Sequence, residues 1–153
     1  MTTFTDAQVA AFLAAREAEL LAKDRRVAVA FTASFRHDLP ASGGVYAFFH
    51  AGGLFYIGET TSLRQRLGTH MRNPENHVLA LKIARQLFDR ANGKGSAGSK
   101  KKFEEQHKEV TRQWVSKNLQ VAFVATPIGR KELEDHLCGT HKPEFNKRYP
   151  VLP

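Results

Sequence analysis

The spacing of apolar residues predicts a helix and then a short strand at the start of the chain. Thr5 and Gln8 have the form of a capping box, in which each side chain bonds a free backbone N–H at a helix start. The apolar positions that follow have helical spacing: Val9, Phe12, Leu13, Leu20 and Leu21. We therefore predict a helix over residues 6–22 and a strand over residues 26–32, ahead of a turn-rich segment at residues 40–44.

The next apolar segments predict a β-hairpin and, later, one more strand. Residues 45–49 and 54–57 are β-branched and aromatic runs, and they flank the tight-turn sequence Ala51-Gly52-Gly53. Residues 119–125 alternate between apolar and polar or small side chains. This alternation is typical of a strand with one buried face, so it predicts a third strand.

Helical spacing returns between and after these strands. Thr61 or Ser62 can cap a helix that carries Leu63, Leu67 and His70 or Met71 on one side, and Asn73-Pro74 ends it. Further helices are predicted at residues 78–92, at 103–114 and after Gly129, and the tail from residue 141 is predicted to be irregular.

The order of these elements predicts an α+β fold. We expect a small three-stranded antiparallel sheet flanked by helices. Residues 1–40 would form an N-terminal helix and strand extension that packs on a core domain at residues 41–153. A chain of 153 residues is long enough for one such core.

The charge points to a polyanionic partner. Lys and Arg number 23 against 15 Asp and Glu, a formal net charge of +8. Such a chain attracts nucleic acid, although simple solubility explains the charge equally well. The Gly/Ser-rich and basic segment at residues 93–102 is predicted to be a mobile loop that closes over a strand, or an idle linker.

Cysteine content and hydropathy bear on the location of the protein. Cys138 is the only cysteine, which excludes a disulfide within the chain and a cysteine-based zinc site. No apolar run is long enough to span a bilayer, and no secretory signal is visible at the start. We therefore expect a cytoplasmic protein without a membrane partner.

Tyrosine and arginine residues in and after the hairpin are candidates for chemistry. Tyr46 and Tyr56 lie on the two paired strands and can face one pocket, although a single strand tyrosine is more often a core aromatic. Arg66 and His70 are four residues apart and are predicted to share a helix face. Arg66 can clamp a phosphate, whereas a solvated face is the better interpretation of Arg64.

The order of these residues along the chain resembles the GIY-YIG nuclease family. The two hairpin triplets are Gly44-Val45-Tyr46 and Tyr56-Ile57-Gly58, and Arg66 follows in the next helix. Glu134 lies in the last helix, and Asn146 ends a Pro-x-Phe-Asn sequence that is typical of the family. The resemblance extends over residues 44–146. Glu59 follows the second triplet and departs from the family pattern, in which small or basic residues are common at this position. An acid there would repel phosphate or touch the metal.

The resemblance implies a phosphodiesterase site built from six residues: Tyr46, Tyr56, Arg66, His70, Glu134 and Asn146. Glu134 would hold one divalent ion, Mg²⁺ with Mn²⁺ as a substitute, because Mg²⁺ prefers oxygen ligands and keeps several waters. Arg66 would stabilise charge on the phosphate. Tyr46 would be the general base if nearby cations lower its pKa, but the sequence does not separate its role from that of Tyr56.

The remaining site residues have supporting roles in this interpretation. His70 would relay a proton and Asn146 would fix the geometry of the site by hydrogen bonding. A zinc site from His136 and His141 is a weaker alternative. Four further histidines are given no special role: His37, His50, His77 and His107.

The implied partner is DNA, whether single-stranded, duplex or branched, bound by a monomer or a homodimer. Basic residues near the site are predicted to contact phosphates: Arg64, Arg72, Lys82, Arg85, Lys94, Lys100, Lys101 and Lys102. Two alternatives stay open, namely a non-catalytic DNA-binding module and an RNA-directed nuclease.

Overall fold

The computed structural model of the chain describes residues 3–88, 103–148 and 150–153. Its helices are α1 (Asp6–Leu21), α2 (Ala33–Asp38), α3 (Leu63–Gly68), α4 (Val78–Phe88), α5 (Glu105–Asn118) and α6 (Arg130–His141). Its strands are β1 (Val27–Ala28), β2 (Gly44–His50), β3 (Gly53–Thr60) and β4 (Leu119–Ala125). Short 3-10 turns lie at Lys23–Arg25, His70–Arg72, Pro74–Asn76 and Glu144–Asn146.

The strands form one antiparallel sheet in the order β1-β4-β2-β3. The fold is the α+β arrangement expected from the sequence, but the sheet has four strands and the prediction of three was wrong. The fourth strand is β1, which lies within the strand predicted at residues 26–32 and joins the sheet because Val27 and Ala28 pair with Val121 and Gln120 of β4. Pairing of a two-residue strand depends on a partner far along the chain, so local alternation gives no sign of it.

The segment after β1 also differs from the prediction. A strand was expected as far as residue 32, whereas the structure has strand only at Val27–Ala28 and helix α2 soon afterwards. The hydroxyl oxygen of Thr32 accepts a hydrogen bond from the Phe35 backbone N–H and caps α2. α1 itself packs on β2, β4 and α6. The division of the chain at residue 40 stays a prediction.

The two faces of the sheet bury different clusters. On the first face, strand residues pack with α3, α4 and the tail: Tyr46, Phe48, Tyr56, Leu63, Leu67, Leu79, Ile83 and Phe145. On the second face, they pack with α1 and α6: Leu20, Val45, Ala47, Ile57, Leu133 and Leu137. Successive strand residues point to opposite faces, so Tyr46 and Tyr56 both come to the first face.

The helix after the hairpin is shorter than predicted. Ser62 caps α3 by accepting from the Gln65 backbone N–H, and the helix ends at Gly68. His70 therefore lies in the following 3-10 turn, and the expectation that it shares a helix face with Arg66 was wrong. Within the described residues, no helix is both long enough and apolar enough to cross a membrane.

Candidate active site

The hydroxyl of Tyr46 lies over the glycine of the second hairpin triplet. Tyr46 pairs with Gly58 across β2 and β3, and a Cβ atom on Gly58 would lie 2.3 Å from the Tyr46 hydroxyl oxygen. Tyr56 is two residues earlier on β3, and its ring centroid is 6.3 Å from that of Tyr46. Both tyrosines are buried, with 1% and 7% of their surface exposed. The bare backbone at Gly58 thus makes room for the Tyr46 hydroxyl.

Two nitrogen atoms approach the Tyr46 hydroxyl oxygen. Arg66 Nε is 3.5 Å from it and His77 Nε2 is 3.4 Å from it, both longer than the roughly 2.7–3.2 Å usual for an N–H···O hydrogen bond. Arg66 also donates from Nη1 to the Asn76 carbonyl oxygen at 3.2 Å. These two bonds use two of the five guanidinium N–H groups, so the side chain keeps donors for a ligand.

His77 is a site residue that the sequence interpretation missed. It is 2% exposed, and its Nδ1 accepts a hydrogen bond from the Leu79 backbone N–H at 3.1 Å. Burial lowers the pKa of His77 well below its ordinary value, and the charges of Arg66 and His70 lower it further. In the sequence, His77 stands just before the apolar spacing of α4, where a helix cap is expected. Nothing in the sequence links His77 to Tyr46.

Burial and nearby charges shift the pKa values of both tyrosines. Burial raises the pKa of Tyr46, while the hydrogen bond and the charge of Arg66 oppose that rise. Burial also raises the pKa of Tyr56. The carboxylate of Glu134 lies near enough to both hydroxyls to raise their pKa values further. α6, which carries Glu134, packs against β2 and β3, and α3, which carries Arg66, packs against β2.

Glu134 has the surroundings of a ligand for a hard cation. Its carboxylate is 18% exposed, and Oε1 lies 2.8 Å from the ammonium of Lys131, whose side chain is 65% exposed. The same ammonium is 3.2 Å from Asp135. A single carboxylate whose ion-pair partner is an exposed lysine is suited to bind an ion that keeps most of its waters, and Mg²⁺ is such an ion.

An enclosed zinc site does not fit this donor set. In the described ranges, no group of three or more His, Cys, Asp and Glu side chains has an arrangement that could hold a metal. His136 and His141 instead approach one carboxylate oxygen of Glu17, at 3.6 and 2.8 Å. That contact ties α6 to α1.

Asn146 joins the tail to the centre of the second triplet. Its Oδ1 accepts from the Ile57 backbone N–H at 2.8 Å, and its Nδ2 donates to the Ile57 carbonyl oxygen at 2.7 Å. Lys82 Nζ in turn donates to the carbonyl oxygens of Phe145 and Lys147, at 2.8 and 2.9 Å. The Asn146 turn is thus held between β3 and α4.

His70 lies at the margin of this arrangement. It is half-buried, and its Nδ1 is a buried atom without a hydrogen-bond partner in the described residues. Its charge acts on His77, and it is not among the groups that shift the pKa of Tyr46.

The basic residues predicted to contact phosphate differ in their surroundings. Arg64 donates to the carbonyl oxygens of Leu39 and His37, and Lys82 has the two carbonyl partners described above. Arg72 and Arg85 are exposed. The remaining four, Lys94, Lys100, Lys101 and Lys102, lie outside the described residues.

Glu59, which departs from the family pattern, has a partner within the chain. Its Oε2 accepts from Arg130 Nε at 3.1 Å, and both side chains are about a third exposed or less, at 30% and 27%. The positive charge of Arg130 therefore balances the negative charge of Glu59, which follows the second triplet in the sequence.

Solved structures similar to this chain include GIY-YIG endonuclease domains. The N-terminal GIY-YIG endonuclease domain of UvrC from Thermotoga maritima, as a point mutant bound to its catalytic divalent cation, has a TM-score of 0.39 and 20% identity. That likeness covers 75% of this chain and 93% of that chain. The same domain bound to magnesium has a TM-score of 0.38 and 19% identity, with 74% and 93% covered. Likenesses this distant carry no weight in assigning the site.

The sequence comparisons give the family. No curated protein matches the chain. The family model described as "GIY-YIG catalytic domain" matches residues 47–149, which include Tyr56, Arg66, Glu134 and Asn146 and begin one residue after Tyr46. Because this match extends over more than half of the sequence, the chain belongs to the GIY-YIG catalytic domain family, a family of nucleases.

Proposed function

We propose that this chain is a metal-dependent DNA endonuclease that hydrolyses phosphodiester bonds with one active site per chain. The observation that carries the proposal is the approach of the Arg66 guanidinium to the Tyr46 hydroxyl, at 3.5 Å, where the charge of Glu134 also acts on that hydroxyl. The net charge of +8 supports a polyanionic substrate.

Glu134 is the residue that would hold the ion, with Mg²⁺ as the ion and Mn²⁺ as a substitute. When bound, the ion would act as a Lewis acid and stabilise the negative charge on the departing oxygen of the phosphodiester. Lys131 would release Glu134 as the ion enters, because the Lys131 side chain is 65% exposed and its ammonium can be solvated by water instead.

Arg66 is proposed to bind the scissile phosphate. Its guanidinium is anchored on one side by the Asn76 carbonyl and lies against the Tyr46 hydroxyl. A guanidinium held in this way presents its remaining N–H groups at a fixed angle to phosphate oxygens. It therefore stabilises the negative charge that builds up when water attacks.

Tyr46 is proposed to take the proton from the attacking water, and Tyr56 to orient that water or the phosphate. Burial raises the pKa of both hydroxyls, so Tyr46 needs the positive charge of Arg66 and of the bound ion to become a base. Asn146 holds the β3 backbone at Ile57, and His70 would relay a proton at the margin of the site.

DNA would be held mainly through phosphate contacts. Arg72 and Arg85 are exposed and suited to them, whereas Arg64 and Lys82 are engaged with backbone carbonyl groups. Contacts to phosphate make affinity depend steeply on salt and carry no sequence information. Cleavage of both strands of a duplex would favour a homodimer, since one site cuts one strand at a time.

The test is a panel of labelled single-stranded, duplex and branched DNAs, with RNA of the same sequences, incubated with the purified chain with and without Mg²⁺. We expect metal-dependent cutting of DNA, and a loss on the order of a hundredfold or more in Glu134→Gln. Asp135→Asn is the matched control, because Asp135 shares the Lys131 contact and is not assigned to the ion.

Cutting of RNA alone would replace DNA by RNA as the substrate. Absence of cutting on every nucleic acid, with DNA binding unchanged in Tyr46→Phe and Glu134→Gln, would leave a binding module instead of an enzyme.

A further inference from the structure

We propose that His77 is a positioning residue, which fixes the direction of the Tyr46 hydroxyl by donating a hydrogen bond from its Nε2 atom. The proposal rests on the proposed function only in that Tyr46 is taken as a residue of the nuclease site. Nothing in the roles given above requires this buried imidazole, yet both of its nitrogens have partners.

The direction of the bond follows from the backbone. The Leu79 backbone N–H can only donate, so Nδ1 of His77 accepts from it and carries no proton. A neutral imidazole has one N–H, which must then be on Nε2. The ring is kept neutral by burial and by the positive charge of Arg66 nearby. Nε2 therefore donates to the Tyr46 hydroxyl oxygen.

The same argument applies on the other side of the hydroxyl. Arg66 Nε has a proton and no lone pair to offer, so it also donates to the Tyr46 oxygen. Neither neighbour can accept the phenolic proton. That proton must therefore point away from both nitrogen atoms.

Two fixed donors on one oxygen have a chemical consequence. They hold the hydroxyl in one rotamer before substrate binds, so no orientation has to be selected in the reactive complex. They also remain as donors to the oxygen once the proton has left. Because His77 is 2% exposed and its Nε2 contacts the Tyr46 hydroxyl, we propose that its effect passes through Tyr46.

His77 has a second, structural role that a test must separate. It is the residue just before α4, and the bond from Leu79 N–H to Nδ1 caps that helix. Asn at position 77 would keep this cap, because its side-chain oxygen can accept from the same N–H, and would lose the donor to Tyr46. Gln would carry an amide out to the position of Nε2 and lose the cap.

The kinetic test therefore uses His77→Asn and His77→Gln in the full chain, with Mg²⁺ and whichever DNA the wild type cuts. We expect His77→Asn to melt near the wild type and to lose about tenfold in kcat with KM changed by less than about twofold. His77→Gln should melt lower and keep kcat within about threefold. In a Tyr46→Phe background, His77→Asn should cause no further loss.

Wild-type kcat in His77→Asn, or equal loss of kcat in both variants, would overturn the proposal. A second readout needs no activity, so it separates this proposal from the proposed function. Nitrogen NMR of the wild type should show His77 protonated at Nε2, with a proton resonance that moves in Tyr46→Phe. A proton on Nδ1, or an Nε2 proton indifferent to Tyr46→Phe, would also overturn it.

Discussion

Tyr46 and Gly58 form a cross-strand pair in which the side chain of one occupies the space that a side chain on the other would need. The two triplets are therefore coupled sterically as well as by position. Any side chain at residue 58 displaces the hydroxyl from Arg66 and His77, because β2 and β3 hold both backbones in register.

This coupling predicts the result of Gly58→Ala. The new Cβ would overlap the Tyr46 ring and hydroxyl, so we expect a loss of about 1–3 kcal/mol in the free energy of unfolding and a loss of cleavage. Gly53→Ala on the same strand is the matched control, because its Cβ would have its nearest neighbour at 3.6 Å. Urea denaturation and a cleavage assay measure both. Equal stability in the two variants would refute the steric coupling.

Lys82 is predicted to be a tether of the Asn146 turn instead of a phosphate contact. Burial lowers its pKa, and its ammonium bonds two carbonyl oxygens of that turn. Lys82→Met keeps the aliphatic stem and removes these bonds, so we expect about 1–3 kcal/mol lower stability.

Measurements of DNA binding distinguish a tethering role of Lys82 from a phosphate contact. The slope of log affinity against log salt should be unchanged in Lys82→Met and smaller by about one in Arg85→Met, if Arg85 contacts a phosphate. A smaller slope in Lys82→Met would show that Lys82 contacts DNA after all.

Acid should destabilise the folded chain through His77. Its pKa in the folded state is well below its ordinary value of 6.5, so the unfolded chain binds a proton that the folded chain does not. The stability that His77 contributes as a neutral buried group is fully present above about pH 6.5. Below that pH the free energy of unfolding falls, by up to about 1.4 kcal/mol per pH unit.

The control is His77→Asn, which cannot titrate. Between pH 7.5 and 5.5, urea denaturation should show a larger loss of unfolding free energy for the wild type than for this variant. Parallel losses would mean that His77 is protonated in the folded chain, contrary to its burial.

Lys131 should compete with the metal ion. Its ammonium occupies Glu134 Oε1, and Glu134 holds the pKa of Lys131 above its ordinary value. Lys131→Met removes this competitor, so we expect half-maximal cleavage at a few-fold lower Mg²⁺ concentration, a small effect because the pair is exposed. Lys117→Met, on an exposed position of α5, should leave the Mg²⁺ dependence unchanged. A higher Mg²⁺ requirement in Lys131→Met would contradict competition.

The parts of the fold that can be predicted from the sequence are the elements whose apolar residues have a regular spacing. α1, the hairpin and β4 lie close to where the spacing of apolar residues places them, because each buries one regular face. The strand predicted at residues 26–32 contains β1 but is too long, and α2 was not predicted. β1 exists through two pairs with β4, and α2 has only six residues, too few for a helical period to be read.

The site shows the same division. The motif residues of the resemblance identify Tyr46, Arg66 and Glu134, although more than sixty residues lie between the last two. The sequence does not predict the role of His77, because its contact with Tyr46 exists only after α3 and α4 fold onto the first face of the sheet. His70 was placed on a helix because Leu67 and Met71 continue the helical spacing beyond the point where α3 ends.

The bonds from Asn146 to Ile57 bear on how two copies of the chain can associate. β3 is at one margin of the sheet, and Asn146 occupies the outward N–H and C=O of Ile57 that a neighbouring strand would need. At the opposite margin, β1 offers only two residues. Short or covered margins discourage joining of sheets between molecules. If a homodimer cuts both strands of a duplex, we therefore expect its two subunits to associate through helices or loops of the described residues and not by joining their sheets.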